Sequence, residues 1–83
     1  MVTLLFMGRL SDAAGAAFEE ADLPASLETV ADLRAWLSAR RPELGEALSS
    51  SSVRAAVDLE IVADAHPIRG AREIAFLPPF SGG

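Results

Sequence analysis

Only one segment of this chain has the length and periodicity of a long amphipathic helix, and that limits how many layers the fold can contain. Thr29 followed three residues later by Asp32 has the form of a capping box, with Asp in the place usually held by Glu or Gln. The acid also sits at the positive end of the helix dipole. At about 100° per residue, Val30, Leu33 and Leu37 fall in one narrow stripe flanked by Trp36, while Arg34, Ala35 and Ser38 point elsewhere. Pro42 stops the segment, because the residue before a proline avoids the α region. The spacing therefore predicts a helix from Val30 to Arg40.

Short strand patterns surround this helix. Val2-Thr3-Leu4-Leu5-Phe6-Met7 is an apolar run ended by Gly8. Alternation places Val2, Leu4 and Phe6 on one face and Thr3, Leu5 and Met7 on the other. Both faces carry large apolar groups, so the second also needs a cover, which a partner protein could supply. Ser11 to Ala14 reads as one helical turn before Gly15, and Ala17 to Ala21 as a second, exposed strand. Leu44 to Leu48 adds a short turn before the run Ser49 to Ser52.

Val53 to Val57 and Glu60 to Val62 read as two strands separated by Asp58-Leu59, Asp being a common turn residue. A loop with Pro67 and Gly70 leads to the last strand, Arg72 to Leu77, with Ile74 and Phe76 inward and Ala75 and Leu77 outward. One amphipathic helix cannot bury two sheets, so it packs across a single mixed sheet. The expected fold is α+β, a β-grasp with the first strand central beside the last.

Composition removes several function classes. The chain has 83 residues and a mass of 8.7 kDa, which fits one domain, and 51% hydrophobic with 23% charged residues is a globular composition. No apolar run approaches the roughly 20 residues of a membrane span, and Met1 to Met7 lacks a basic segment followed by a long apolar one. A soluble cytoplasmic protein is expected. Twelve carboxylates against seven arginines give a net charge of -5, with Glu19, Glu20, Asp22, Glu28, Asp32, Glu43 and Glu46 in the first half. Nucleic acid is a poor partner for such a surface. The acidic side is either a face for a basic protein or a solvated face that maintains solubility.

There is no cysteine, so no side chain offers a disulfide, a thiolate metal ligand or a persulfide. There is no lysine either, all seven basic residues being arginine. Asp58, Glu60 and Asp64 have strand-and-turn spacing without histidine partners, which argues against a metal site. His66, the single histidine, lies beside Pro67 and reads as a loop residue.

The remaining chemistry lies at Phe76-Leu77-Pro78-Pro79-Phe80-Ser81-Gly82-Gly83. An α-carboxyl group on Gly83, with an ordinary pKa near ~3.3 to 3.7, is an anion at neutral pH that can attack an activated phosphate such as that of ATP. The two glycines remove both neighbouring β-carbons, so the tip fits a channel too narrow for side chains. Pro78-Pro79 favours stiff polyproline II backbone and directs the tail off the sheet. From Pro78 to Gly83 the extended reach is about 20 Å at ~3.3 Å per residue. The expected organisation is a β-grasp domain over 1–77 with a flexible tail over 78–83. Leu5, Met7, Ala75 and Leu77, joined by Phe80, form an outward apolar set, to be either a partner interface or a second core layer.

Glu73-Ile74-Ala75-Phe76-Leu77-Pro78-Pro79-Phe80-Ser81-Gly82-Gly83, the strand Arg54 to Asp58 followed by Ala65-His66-Pro67-Ile68, and the opening Leu4-Leu5-Phe6-Met7 together resemble the MoaD family, small subunits of molybdopterin synthase. The similarity spans essentially the whole chain. Asp58 departs from an expected Asn, and Gly70-Ala71-Arg72-Glu73 from the usual Asp-Gly-Asp-Glu approach to the last strand.

The resemblance implies a ubiquitin-like β-grasp and a non-catalytic sulfur-donor subunit of a transferase complex. It binds no cofactor itself; ATP is used by a MoeB-like adenylating enzyme. By resemblance Gly83 is adenylated, converted to a thiocarboxylate and inserted into a MoaE-like large subunit, where it gives sulfur to cyclic pyranopterin monophosphate. Gly82 then provides clearance, Ser81 a hydrogen bond in the channel, and Leu5, Met7, Ala75, Leu77, Pro78, Pro79 and Phe80 the docking contacts. Rival readings are a ubiquitin-like modifier that forms isopeptides on other proteins' lysines, and a ThiS-like carrier for thiamine biosynthesis. Carriers of the latter kind are typically shorter and lack the Pro-Pro approach.

Overall fold

The capping box is fully formed. In the computed structural model, which describes residues 1–79, helix α2 (Val30–Arg40) begins where Asp32 N–H donates to Thr29 Oγ1 at 3.2 Å. Asp32 Oδ2 in turn accepts from the backbone N–H groups of Glu28 at 3.0 Å and Thr29 at 3.1 Å. Those amide donors, Glu28 first and Thr29 second, hold the Asp32 carboxyl below the ordinary carboxylate range. The next free amides of α2 are taken by a later loop: Val30 N–H donates to His66 O at 3.1 Å and Ala31 N–H to Asp64 O at 2.9 Å. His66 thus serves through its backbone, as a loop residue.

Around α2 the chain order is β1 (Val2–Phe6), α1 (Leu10–Ala14), β2 (Phe18–Ala21), then after α2 come α3 (Pro42–Leu48), β3 (Arg54–Val57), β4 (Glu60–Val62) and β5 (Glu73–Leu77). The strands form one mixed sheet in the order β2-β1-β5-β3-β4, with β1 parallel to β5 and the other pairs antiparallel. This is the expected α+β β-grasp, with β1 beside the last strand. The first, second, third and last strands each lose one terminal residue (Met7, Ala17, Val53 and Arg72) relative to the sequence reading. The short turn expected at Leu44 is a full helix from Pro42, because proline's fixed φ and missing N–H suit the first helical position.

One face of the sheet carries the core. Val2, Leu4 and Phe6 from β1, Ala55 and Val57 from β3, and Ile74 and Phe76 from β5 are buried against Val30, Leu33 and Leu37 of α2 and Leu44 and Leu48 of α3. Phe6 lies opposite Phe76 in register, their rings stacked at 6.2 Å. Helices α2 and α3 touch so closely at Gly45 that a β-carbon there would stand 2.3 Å from Ser38 Oγ.

Arg34 departs from its expected placement. Its guanidinium donates to the carbonyls of Leu48 at 2.6 Å and Val53 at 2.5 Å, pairs with Asp64 at 3.1 Å, and lies 5.5 Å from the centre of the Phe76 ring. Instead of pointing to free solvent it ties the end of α3 and the residue before β3 over β5. Arg41 does similar work at the α2–α3 junction, pairing with Glu19 and donating to Ala14 O.

The turn between β3 and β4 has left-handed backbone at both Asp58 (φ 48) and Leu59 (φ 74), as a two-residue hairpin of primed type requires. Asp58 fits that conformation, and its Oδ1 accepts from the N–H groups of Arg72 at 2.9 Å and Glu73 at 3.0 Å. The acid standing where the family resemblance expects Asn therefore anchors the entry to β5.

Candidate functional site: the outer sheet face and the root of the tail

On the face away from the helices, register aligns one apolar row across all five strands. Phe18 lies opposite Leu5, Leu5 opposite Ala75, Ala75 opposite Ala56, and Ala56 opposite Ile61. Toward the tail the row is followed by Met7 and Leu77, and away from the tail by Glu20, Thr3 and Glu73. The face is thus polar at the start of β5 and apolar at its end. Phe18, Ile61 and Met7 are 60%, 56% and 45% exposed, too much for the second core layer that the sequence left open.

Of the sequence-predicted residues, Leu5 and Leu77 are half-buried and Met7 is exposed, all on this side. Ala75 faces the same way but is only 7% exposed. Its methyl group lies between Leu5 and Ala56 on the adjoining strands, so it supplies flatness more than contact area. Phe80, Ser81, Gly82 and Gly83 lie outside the described residues.

Pro78 and Pro79 leave β5 half-buried, beside Gly8. Gly8 has φ +54, and a β-carbon on it would stand 3.0 Å from Pro78 Cγ. Glycine here satisfies both a left-handed turn and the seat of the first proline. The ladder continues past β1, with Met7 N–H donating to Phe76 O at 3.0 Å, which fixes Gly8 under the tail root. A groove of about 910 Å³ opens there, lined by Met7, Leu77, Pro78 and Pro79 together with Arg9 and Arg54.

Sequence reading missed Phe18, Ala56, Ile61 and Gly8. Alternation within Phe18–Ala21 and Glu60–Val62 carried the signal for Phe18 and Ile61, whereas the Gly8–Pro78 contact joins residues seventy apart and needs the folded chain.

Among the described residues no cluster of His, Cys, Asp and Glu could hold a metal ion, and no helix is long and apolar enough to cross a membrane.

Comparison with known proteins agrees with this architecture. The ThiS family model matches residues 4–83. The molybdopterin synthase sulfur carrier subunit of Escherichia coli (strain K12) is 30% identical over 83 residues, covering 100% of both chains. The crystal structure of small archaeal modifier protein 1 from Haloferax volcanii superposes with a TM-score of 0.78 at 19% identity, over 95% of this chain and 97% of that one. A Pyrococcus furiosus protein assigned as molybdopterin converting factor subunit 1 gives a TM-score of 0.77 at 22% identity, with the same coverage of 95% and 97%. These two likenesses concern the fold. The full-length family match and the full-length E. coli relative go further: the chain belongs to the ThiS family and is a MoaD-like, ubiquitin-like β-grasp protein.

Proposed function

We propose that this chain is the sulfur carrier subunit of a molybdopterin synthase, with Gly83 as the atom-transferring residue. The single observation that supports the molybdopterin branch best is the end-to-end relationship to the E. coli sulfur carrier subunit. An apolar face that ends at the tail root supports the mechanical part of the reading. Such a face seats a partner, and the Pro78-Pro79 stem directs the last residues into it.

In this reading the Gly83 carboxylate oxygen attacks the α-phosphorus of ATP on a MoeB-like activating enzyme, and pyrophosphate leaves. Hydrosulfide then attacks the carbonyl carbon of the acyl-adenylate and expels AMP, leaving a thiocarboxylate and a proton. In a MoaE-like large subunit the thiocarboxylate sulfur attacks a side-chain carbon of the pterin precursor and the oxygen held by that carbon leaves; hydrolysis of the resulting thioester leaves sulfur on the pterin and returns the carboxylate. The catalytic groups belong to the partners; this chain supplies a substrate that is also a polypeptide. With no cysteine in the sequence, Gly83 is the natural sulfur-bearing position.

Reconstitution tests the reading. With activating enzyme, ATP, sulfide, large subunit and pterin precursor, the protein is expected to support molybdopterin formation. The same protein extended by one bulky residue after Gly83 is expected to fold and to be inactive. Activity of the extended protein would refute tail insertion. Formation of thiazole product or of adducts on target lysines in place of molybdopterin would move the chain to one of the two rival branches.

A further inference from the structure

The seven arginines divide by what they touch. Arg34 and Arg41 are committed to ion pairs with Asp64 and Glu19, and Arg40 lies over the Trp36 ring at 4.6 Å. Arg69 and Arg72 lie before β5, at the end of the sheet away from the tail. Arg9 and Arg54 remain, and both line the groove that contains Pro78 and Pro79. Arg54 is directly opposite Leu77 in the sheet, and Arg9 follows the Gly8 on which Pro78 rests. Both are exposed, and neither pairs with a carboxylate among the described residues.

Two arginines thus stand on either side of the tail root, on a chain of net charge -5. The opposite end of the same face carries Glu20 and Glu73. Arg69 and Arg72 lie near those carboxylates, so that end of the sheet carries mixed charge, whereas the two charged side chains lining the groove at the tail root are both cationic. Two like charges grouped at one place steer a molecule of opposite charge before contact is made.

We infer that Arg9 and Arg54 form a cationic collar at the tail root, and that its counterpart is a set of carboxylates on the rim of the partner pocket that receives the tail. The inference rests on the tail-insertion reading above and adds the feature that aligns the tail with its pocket. Protein carboxylates fit better than nucleic-acid phosphates, because the remaining surface repels a polyanion. As rim charges around the apolar contact, the two arginines act mainly on association rate and register. Partner carboxylates beside them also exclude surfaces whose rims are basic.

The test compares two charge reversals that remove equal charge from opposite ends of the sheet, Arg9→Glu with Arg54→Glu and Arg69→Glu with Arg72→Glu. Association with the large subunit is followed by stopped-flow at low and high salt, with thermal unfolding of each variant alongside. The tail-root variant is expected to associate about tenfold or more slowly at low salt, with the gap closing at high salt, and to raise the carrier KM more than it lowers kcat. The distal variant is expected to behave as wild type. Arg9→Gln with Arg54→Gln, which keeps the surface polar without reversing charge, is expected to fall between. Equal slowing by both reversals would assign the effect to net charge and overturn the collar, as would wild-type association of the tail-root variant. If the wild-type chain itself never associates, or never gains sulfur at Gly83, the carrier reading fails instead, an outcome distinct from any failure of the collar.

Discussion

At Gly8 the backbone has φ +54 and a β-carbon would meet Pro78 Cγ at 3.0 Å. A non-glycine residue in left-handed conformation costs about 1–2 kcal/mol, and the contact displaces the proline by a few tenths of an ångström besides. Gly8→Ala is accordingly expected to lower stability by about 2 kcal/mol and to weaken large-subunit binding by more than that. Denaturant unfolding read beside a binding isotherm separates the two effects; equal losses would reduce Gly8 to a turn residue. In sequence, Gly8 was legible as the end of a strand and nothing else, since Pro78 becomes its neighbour only when β1 and β5 pair. Asp58 is a similar case. Its turn position was evident, but its two bonds to the amides entering β5 depend on where the last strand lies.

Helix α2 was readable to its end residues because its signals are local: a capping residue, an apolar stripe and a proline. The cap also gives the protein a pH signature. Asp32 is held below its ordinary value of about 3.9, so its contribution to stability is fully present above that value and is lost as pH falls through the lower, folded one. The difference in Tm between wild type and Asp32→Ala is therefore expected to be constant near neutrality and to vanish in acid. A difference that persists in acid would assign the effect to something other than the carboxylate.

Arg34 marks the limit of local reading at this scale. It lies off the apolar stripe, yet its partners come from α3, the residue before β3, the loop after β4 and β5. Removing it leaves the Leu48 and Val53 carbonyls without their charged donor, and Arg34→Ala is expected to cost about 2 kcal/mol in urea unfolding. Unchanged stability would mean that water replaces the guanidinium without loss.

The whole molecule is a sheet with two apolar faces and helices for one of them. That asymmetry was visible in β1, where Leu5 and Met7 alternate with buried neighbours. Its extent was not, because Phe18 and Ile61 join the outer row through strand order and register. Met7→Glu and Leu77→Glu are each expected to weaken large-subunit association while changing monomer stability by no more than about 0.5 kcal/mol, as surface substitutions do. Substantial unfolding of the isolated monomer in both variants would make the face a core layer.

The central claim is that Gly83 bears the sulfur, and intact-mass spectrometry after incubation with the activating enzyme, ATP and sulfide reads it directly. The account predicts exchange of one oxygen for one sulfur, confined to a C-terminal peptide containing Gly83 and reversed when the large subunit and pterin precursor are added. An unchanged mass with an active adenylating enzyme present, or sulfur found elsewhere in the chain, would contradict it.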